Sequence, residues 1–138
     1  MERLAFLNWS ILLLEEIERS PEKLAWCQAY SVYSRSSGQE QLNHDLDLFI
    51  DRVYDLNLLI PNYRQILEKN SLDEHLVENA KGNWLAELSE ESVLACITWH
   101  IRRDHFQAGS LIRYSIGQGA ILRLLRHLKA LEMQTNKH

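Results

Sequence analysis

Apolar residues recur at three- and four-residue spacing along almost the whole chain, and nowhere do β-branched and polar residues alternate for long. Side chains so spaced share one face of a helix, because each residue turns the chain by about 100°. Leu4, Leu7, Ile11 and Leu14 trace one such line, with Phe6, Leu13 and Ile17 beside it. A helix apolar over so wide an arc belongs inside its domain. Leu42, Leu46, Phe49, Ile50 and Val53 trace a second stripe, and Ile121, Leu124, Leu125, Leu128 and Leu131 a third, the last opposed by Arg123, Arg126 and His127. Val93, Leu94, Ile97 and Ile101 line one side of another helix whose far side carries Ala95, Trp99 and Phe106. Apolar on two sides, it is expected at the centre. The pattern predicts an all-α fold: a single compact bundle of about six helices, one domain over residues 1–138, with a central helix near residues 90–106.

Punctuation between these stripes is readable. Ser20, Pro21 and Glu22 form a helix start, with a hydroxyl cap, a fixed φ at the first position and an acid in the first turn. "SRSSGQE" (residues 34–40) predicts a loop, followed by a helix from residue 41 towards residue 60. Pro61 closes that segment and opens the next. Between residues 71 and 91 the period weakens to a short helix and a loop around Gly82, with Trp84 and Leu85 turned inward. Ser89 is the expected cap of the central helix, Gly109 its expected end. Ser110 is expected to cap a brief helix that "GQG" (117–119) breaks. Trp9, Trp26, Trp84 and Trp99 occupy positions a helix buries.

Composition then narrows the function classes. A chain of 138 residues, 46% hydrophobic and 25% charged, can bury one core without cross-links and is unlike a disordered chain. Cys27 and Cys96 form no paired motif; two lone thiols fit a reducing compartment. The opening apolar run is interrupted by Asn8 and Ser10 and followed by acids, so it reads as a packed helix and not a leader. No uninterrupted apolar stretch is long enough for a membrane span. A cytoplasmic protein without membrane attachment is expected. The net charge of −4 hides an asymmetry: residues 100–138 carry seven basic and two acidic residues, residues 1–99 eight basic and seventeen acidic. Either the two parts attract each other within the fold, or one of them faces a charged partner.

Chemical motifs are sparse. His100 and Asp104 share a helix face, and with His105 they could form a small His/Asp/Arg enzyme site in which the carboxylate orients an imidazole base. No nucleophile motif accompanies them, and a helical His–Asp hydrogen bond needs no chemistry, so no catalytic residue is assigned. His44, Asp47 and Asp51 have helical spacing but no metal signature, and neither a metal nor a cofactor is expected. Arg102, Arg103, Arg113, Arg123 and Arg126 suit an acidic surface or phosphate, since guanidinium presents a planar fork of donors. The overall pI near 5.8 argues against a nucleic-acid binder, and "GQG" is no phosphate loop.

The C-terminal third resembles a small bacterial and phage domain family of unknown function. The resemblance rests on an Arg-x-x-x-Phe-x-x-Gly element, here Arg102, Phe106 and Gly109, and on a Gly-x-x-Leu-x-x-Leu-Arg element, here Gly119, Leu122, Leu125 and Arg126. "FIDRVYDLNLLIPNY" is similar to a further family segment, an extended helix followed by proline. His105 and Ala108 stand where the family tends to have arginine and an acid. The resemblance implies a fold and no reaction, and a role in host–phage conflict. It casts Phe106 as a core plug and Gly109 as the turn.

The reading that joins these features is a non-enzymatic helical module that binds another protein, such as a phage or mobile-element inhibitor of a bacterial nucleic-acid-handling complex. Asp45, Asp47, Asp51 and Asp55 would mimic phosphates, and the five arginines would meet an acidic surface. Nucleic-acid binding through the basic segment is the alternative, and a second copy of the chain is a further candidate partner.

Overall fold

A computed structural model describes residues 2–28, 37–103 and 110–135. Among them lie eight α-helices and one short 3-10 helix, with no strand. In chain order they are α1 (Arg3–Arg19), α2 (Pro21–Gln28), α3 (Ser37–Asp55), α4 (Tyr63–Lys69), α5 (Glu74–Asn79), the 3-10 turn Asn83–Glu87, α6 (Glu90–Arg102), α7 (Ser110–Gly117) and α8 (Ala120–Thr135). The all-α expectation holds, and the expected six helices become eight. The difference lies in α5 and α7, the short helices expected between residues 71 and 91 and after Ser110, which run six and eight residues and bring the count to eight. Such helices are marginal alone and persist by packing. Asp73 caps α5 by accepting from the Leu76 amide at 2.9 Å.

α6 is the central element, touching α4, α5, α7 and α8. Its Val93, Ala95, Cys96, Ile97, Thr98, His100 and Ile101 are all buried. α1 packs along α8 and α2 along α7. Phe6 and Phe49 stack at 5.7 Å to join α1 to α3. The caps at Ser20 and Ser89 form as expected, each hydroxyl accepting an amide of the first turn. Trp9, Trp26 and Trp99 are half-buried and form an outer layer of the core, where the indole keeps an edge in water, whereas half-buried Trp84 donates to Lys81 O in its own turn. Gly109 and Phe106 lie outside the described residues.

α3 departs from expectation at both ends. It begins at Ser37, inside the stretch expected to be loop, and Gly38 lies against the Trp26 ring, where a Cβ would come within 2.9 Å. The absent side chain makes room for the indole. At its far end α3 stops at Asp55, not near residue 60. Asn57 adopts φ 54°, its amide bonds Tyr54 O, and the Leu58 amide bonds Val53 O. That is a Schellman ending sealed by buried Val53 and Leu58. α4 ends the same way, with Ser71 at φ 57° and the Leu72 amide on Leu67 O. Serine has no special tolerance of this left-handed region, whereas glycine has. Ser71→Gly is therefore expected to raise unfolding free energy by about 0.5–1 kcal/mol in a urea titration; a loss would show that the Ser71 side chain supports the turn.

Candidate functional site

The arginines of the basic segment turn mostly inward. Arg113 is 6% exposed and donates to Asn43 of α3. Arg123 reaches back to α5, giving Nε–H to Ala80 O and Nη2–H to Asn79 O, each at 2.7 Å, and a third bond to Gln118 O at 3.1 Å. Ala80 is left-handed at φ 43°, so these are the unpaired carbonyls of a helix end. Arg126 bonds Glu15 of α1 at 2.8 Å. Arg103 leans on Glu78 of α5 at 3.6 Å. Basic C-terminal segment and acidic N-terminal segment thus attract each other through specific pairs. Only Arg102 of the five is exposed without an ion pair among the described residues, and its guanidinium lies over the Tyr54 ring at 5.9 Å.

The aspartates of α3 divide. Asp47, Asp51 and Asp55 are exposed and, four residues apart, follow one another along one face, continued by exposed Glu40 and His44. Asp45 lies roughly 120° round the helix from Asp51; it is half-buried and accepts from Gln41 at 3.0 Å. Asp55 has a long contact with Arg52 at 3.7 Å, an exposed pair of little energetic worth. Asp47 and Asp51 have no ion-pair partner among the described residues. The face from Glu40 to Asp55 rises roughly 22 Å at 1.5 Å per residue.

His100 is wholly buried and its partners fix its tautomer. Val77 O lies 2.7 Å from Nε2, so that nitrogen carries the proton; Nδ1 then accepts from the Ser115 hydroxyl at 2.8 Å. Ser115 Oγ in turn accepts from Arg103 Nη2 at 2.8 Å. The chain Arg103–Ser115–His100–Val77 O ties α5, α6 and α7 together. Burial pushes the imidazole pKa down to about 3, against the Val77 bond and assisted by the Arg103 charge. With both ring nitrogens engaged and 0% exposure, the ring has none left for a carboxylate at position 104 and no path to a substrate. Asp104 and His105 lie outside the described residues. His100 is architecture.

The sequence reading missed a groove. About 890 Å³ opens between α4, α5 and the end of α6, floored by Tyr63, Leu67, Leu72, Val77 and Trp99. Arg64, Arg102 and Arg103 share its walls with Glu68, Asp73, Glu74 and Glu78. The Arg103 guanidinium stacks on Trp99 at 4.5 Å and sits deepest of the three arginines, its side chain 17% exposed. No sequence signal marks this site, since its walls come from three segments whose approach depends on the left-handed endings at Ser71 and Ala80. Burial raises the Cys27 thiol to about 11 and Cys96 to about 12, so neither is a ready nucleophile at neutral pH. No group of three or more His, Cys, Asp or Glu among the described residues is arranged to hold a metal ion, His44, Asp47 and Asp51 included. No helix among them is long and apolar enough to cross a membrane.

A small all-α domain with His100 sealed inside, its basic segment largely turned inward and one acidic helix face outward is the class this architecture defines. The chain belongs to the family of unknown function DUF6508, which matches residues 12–134. That match runs beyond the C-terminal stretch on which the sequence resemblance rests. No curated protein and no solved structure matches the chain significantly.

Proposed function

We propose that this domain is a non-enzymatic module that binds a basic protein surface through the outer face of α3. The observation that carries the reading is the row Asp47, Asp51 and Asp55, exposed on one helix face, while Arg113, Arg123 and Arg126, three of the five arginines expected to meet a partner, are bonded within the fold. Charges that the fold does not neutralise remain available to a partner of opposite sign, steering its approach and setting its orientation. A protein that handles nucleic acid offers such a surface, and a row of carboxylates meets it as phosphates would. An inhibitory role in host–phage conflict and a cytoplasmic location complete the proposal; two buried free thiols agree with a reducing compartment.

The test compares the wild type with the triple variant Asp47→Asn, Asp51→Asn, Asp55→Asn. All three side chains are exposed, so stability should change by less than about 0.5 kcal/mol. Proteins held by the wild type from host extract in low salt should be lost in the variant and eluted by salt, with affinity for a purified captured partner falling about tenfold or more. Equal retention by both proteins, or none by the wild type, sinks the reading. Mobility shift of DNA or RNA by the wild type at low salt would favour the arginines instead.

A further inference from the structure

Among the described residues Arg103 is a poorly satisfied cation. A guanidinium has five N–H donors. Among the described residues Arg103 makes one hydrogen bond, from Nη2 to Ser115. Its Nε is buried with no partner. Its Nη1 lies 3.6 Å from a Glu78 oxygen, too far for a proper hydrogen bond. A largely desolvated charge with donors to spare costs stability unless an acceptor meets it. Meanwhile the bond to Ser115 and the stack on the Trp99 ring hold the group in one orientation at the groove.

The rest of the lining says what kind of acceptor fits. Three guanidinium groups stand among four carboxylates, so the groove as a whole leans negative and opposes a dianion about twice as strongly as a monoanion, which the adjacent Arg103 charge offsets locally. The floor of Tyr63, Leu67, Leu72, Val77 and Trp99 is apolar and aromatic. A volume of about 890 Å³ suits a ligand of drug-like size or the last few residues of a peptide.

We propose that the α4–α5–α6 groove binds a monoanionic carboxylate carried on an apolar body, with Arg103 as the carboxylate-binding residue and Ser115 and His100 as the positioning residues that hold it. The carboxylate reaches the outer donors of Arg103, chiefly Nη1, and displaces the long contact to Glu78. The apolar body lies on Trp99 and Leu72. Two sources offer this chemistry, a free small acid and the terminal carboxylate of a polypeptide. Carboxylate binding here does not depend on the acidic face of α3.

Calorimetric titration of the full chain tests the proposal with five probes: 3-phenylpropionate, 3-phenylpropionamide, inorganic phosphate, and an apolar tetrapeptide in two forms, with a free and with an amidated C-terminus. At least one carboxylate is expected to saturate a single site, with its amide counterpart weaker by about tenfold or more and phosphate inert. Saturation by the small acid identifies a metabolite-like ligand; saturation by the free-ended peptide alone identifies a chain terminus. Arg103→Gln should weaken binding by about tenfold or more. Glu78→Gln, a change at a half-exposed residue that leaves the core alone, should tighten it by relieving competition for Nη1. Failure of every carboxylate to saturate, equal binding of acid and amide, or unchanged affinity in Glu78→Gln overturns the assignment, and the amide comparison needs no variant to fold.

Discussion

Acidification from about pH 8 to about pH 5 should cost the folded domain about 2 kcal/mol through His100 alone. The unfolded imidazole takes up its proton near the ordinary value of 6.5, while in the fold burial holds that pKa at about 3. The unfolded state therefore binds the proton first, and stability present above pH 6.5 is lost as pH falls towards 3. The slope inside that window is about 1.4 kcal/mol per pH unit. Carboxylates contribute little above pH 5, so the upper part of the window reads the histidines, and comparison with a His100 variant separates His100 from the other five. Urea unfolding at a series of pH values reads the slope directly. His100→Gln lacks a titrating group and should flatten the profile between pH 8 and pH 5. It should also be less stable at pH 8 by about 2–3 kcal/mol, because Val77 O and the Ser115 hydroxyl lose well-placed partners inside the core. A wild-type profile already flat over this range would mean that the ring is not held neutral by burial.

Arg123→Met is expected to lower unfolding free energy by about 2–4 kcal/mol while keeping the side-chain stem. Three carbonyls, those of Asn79, Ala80 and Gln118, accept from this one guanidinium. Two of them belong to the left-handed exit of α5, where no further helical amide is available to bond them. Gly119 explains why the arginine can take this path. It sits at φ 80°, and a Cβ there would come within 2.6 Å of Arg123 Nη1. The glycine at the head of the C-terminal motif thus serves two steric purposes, a left-handed turn and clearance for the clamp. A loss below about 0.5 kcal/mol in Arg123→Met would show the carbonyls to be equally well served by water.

The elements that were legible in sequence are those whose burial is periodic. α1, α6 and α8 each carry a stripe long enough to declare both helix and inward face, and the caps at Ser20 and Ser89 mark the starts of α2 and α6 through a local hydroxyl–amide bond. Helix ends were harder where they turned left-handed without glycine. Asn57, Ser71 and Ala80 carry no strong compositional mark, and their turns are held by what packs beyond them, such as Leu58 on Val53. The four aspartates of α3 looked alike in sequence; the helix phase separates Asp45 from the other three. His100 was singled out for a helical neighbour four residues on, yet its partners come from Val77 and Ser115, which are 23 and 15 residues away in sequence.

By itself, then, the sequence determined the all-α class, the central position of α6 and the charge asymmetry, because periodicity and composition are local properties that need no partner segment to be read. Only the tertiary structure decided where the charges go: most of the arginines into the fold, three aspartates out to solvent, and Arg103 into a groove with donors to spare. Hydrogen bonds and ion pairs act over a few ångströms between residues far apart in the chain, so their pairing depends on how the helices meet.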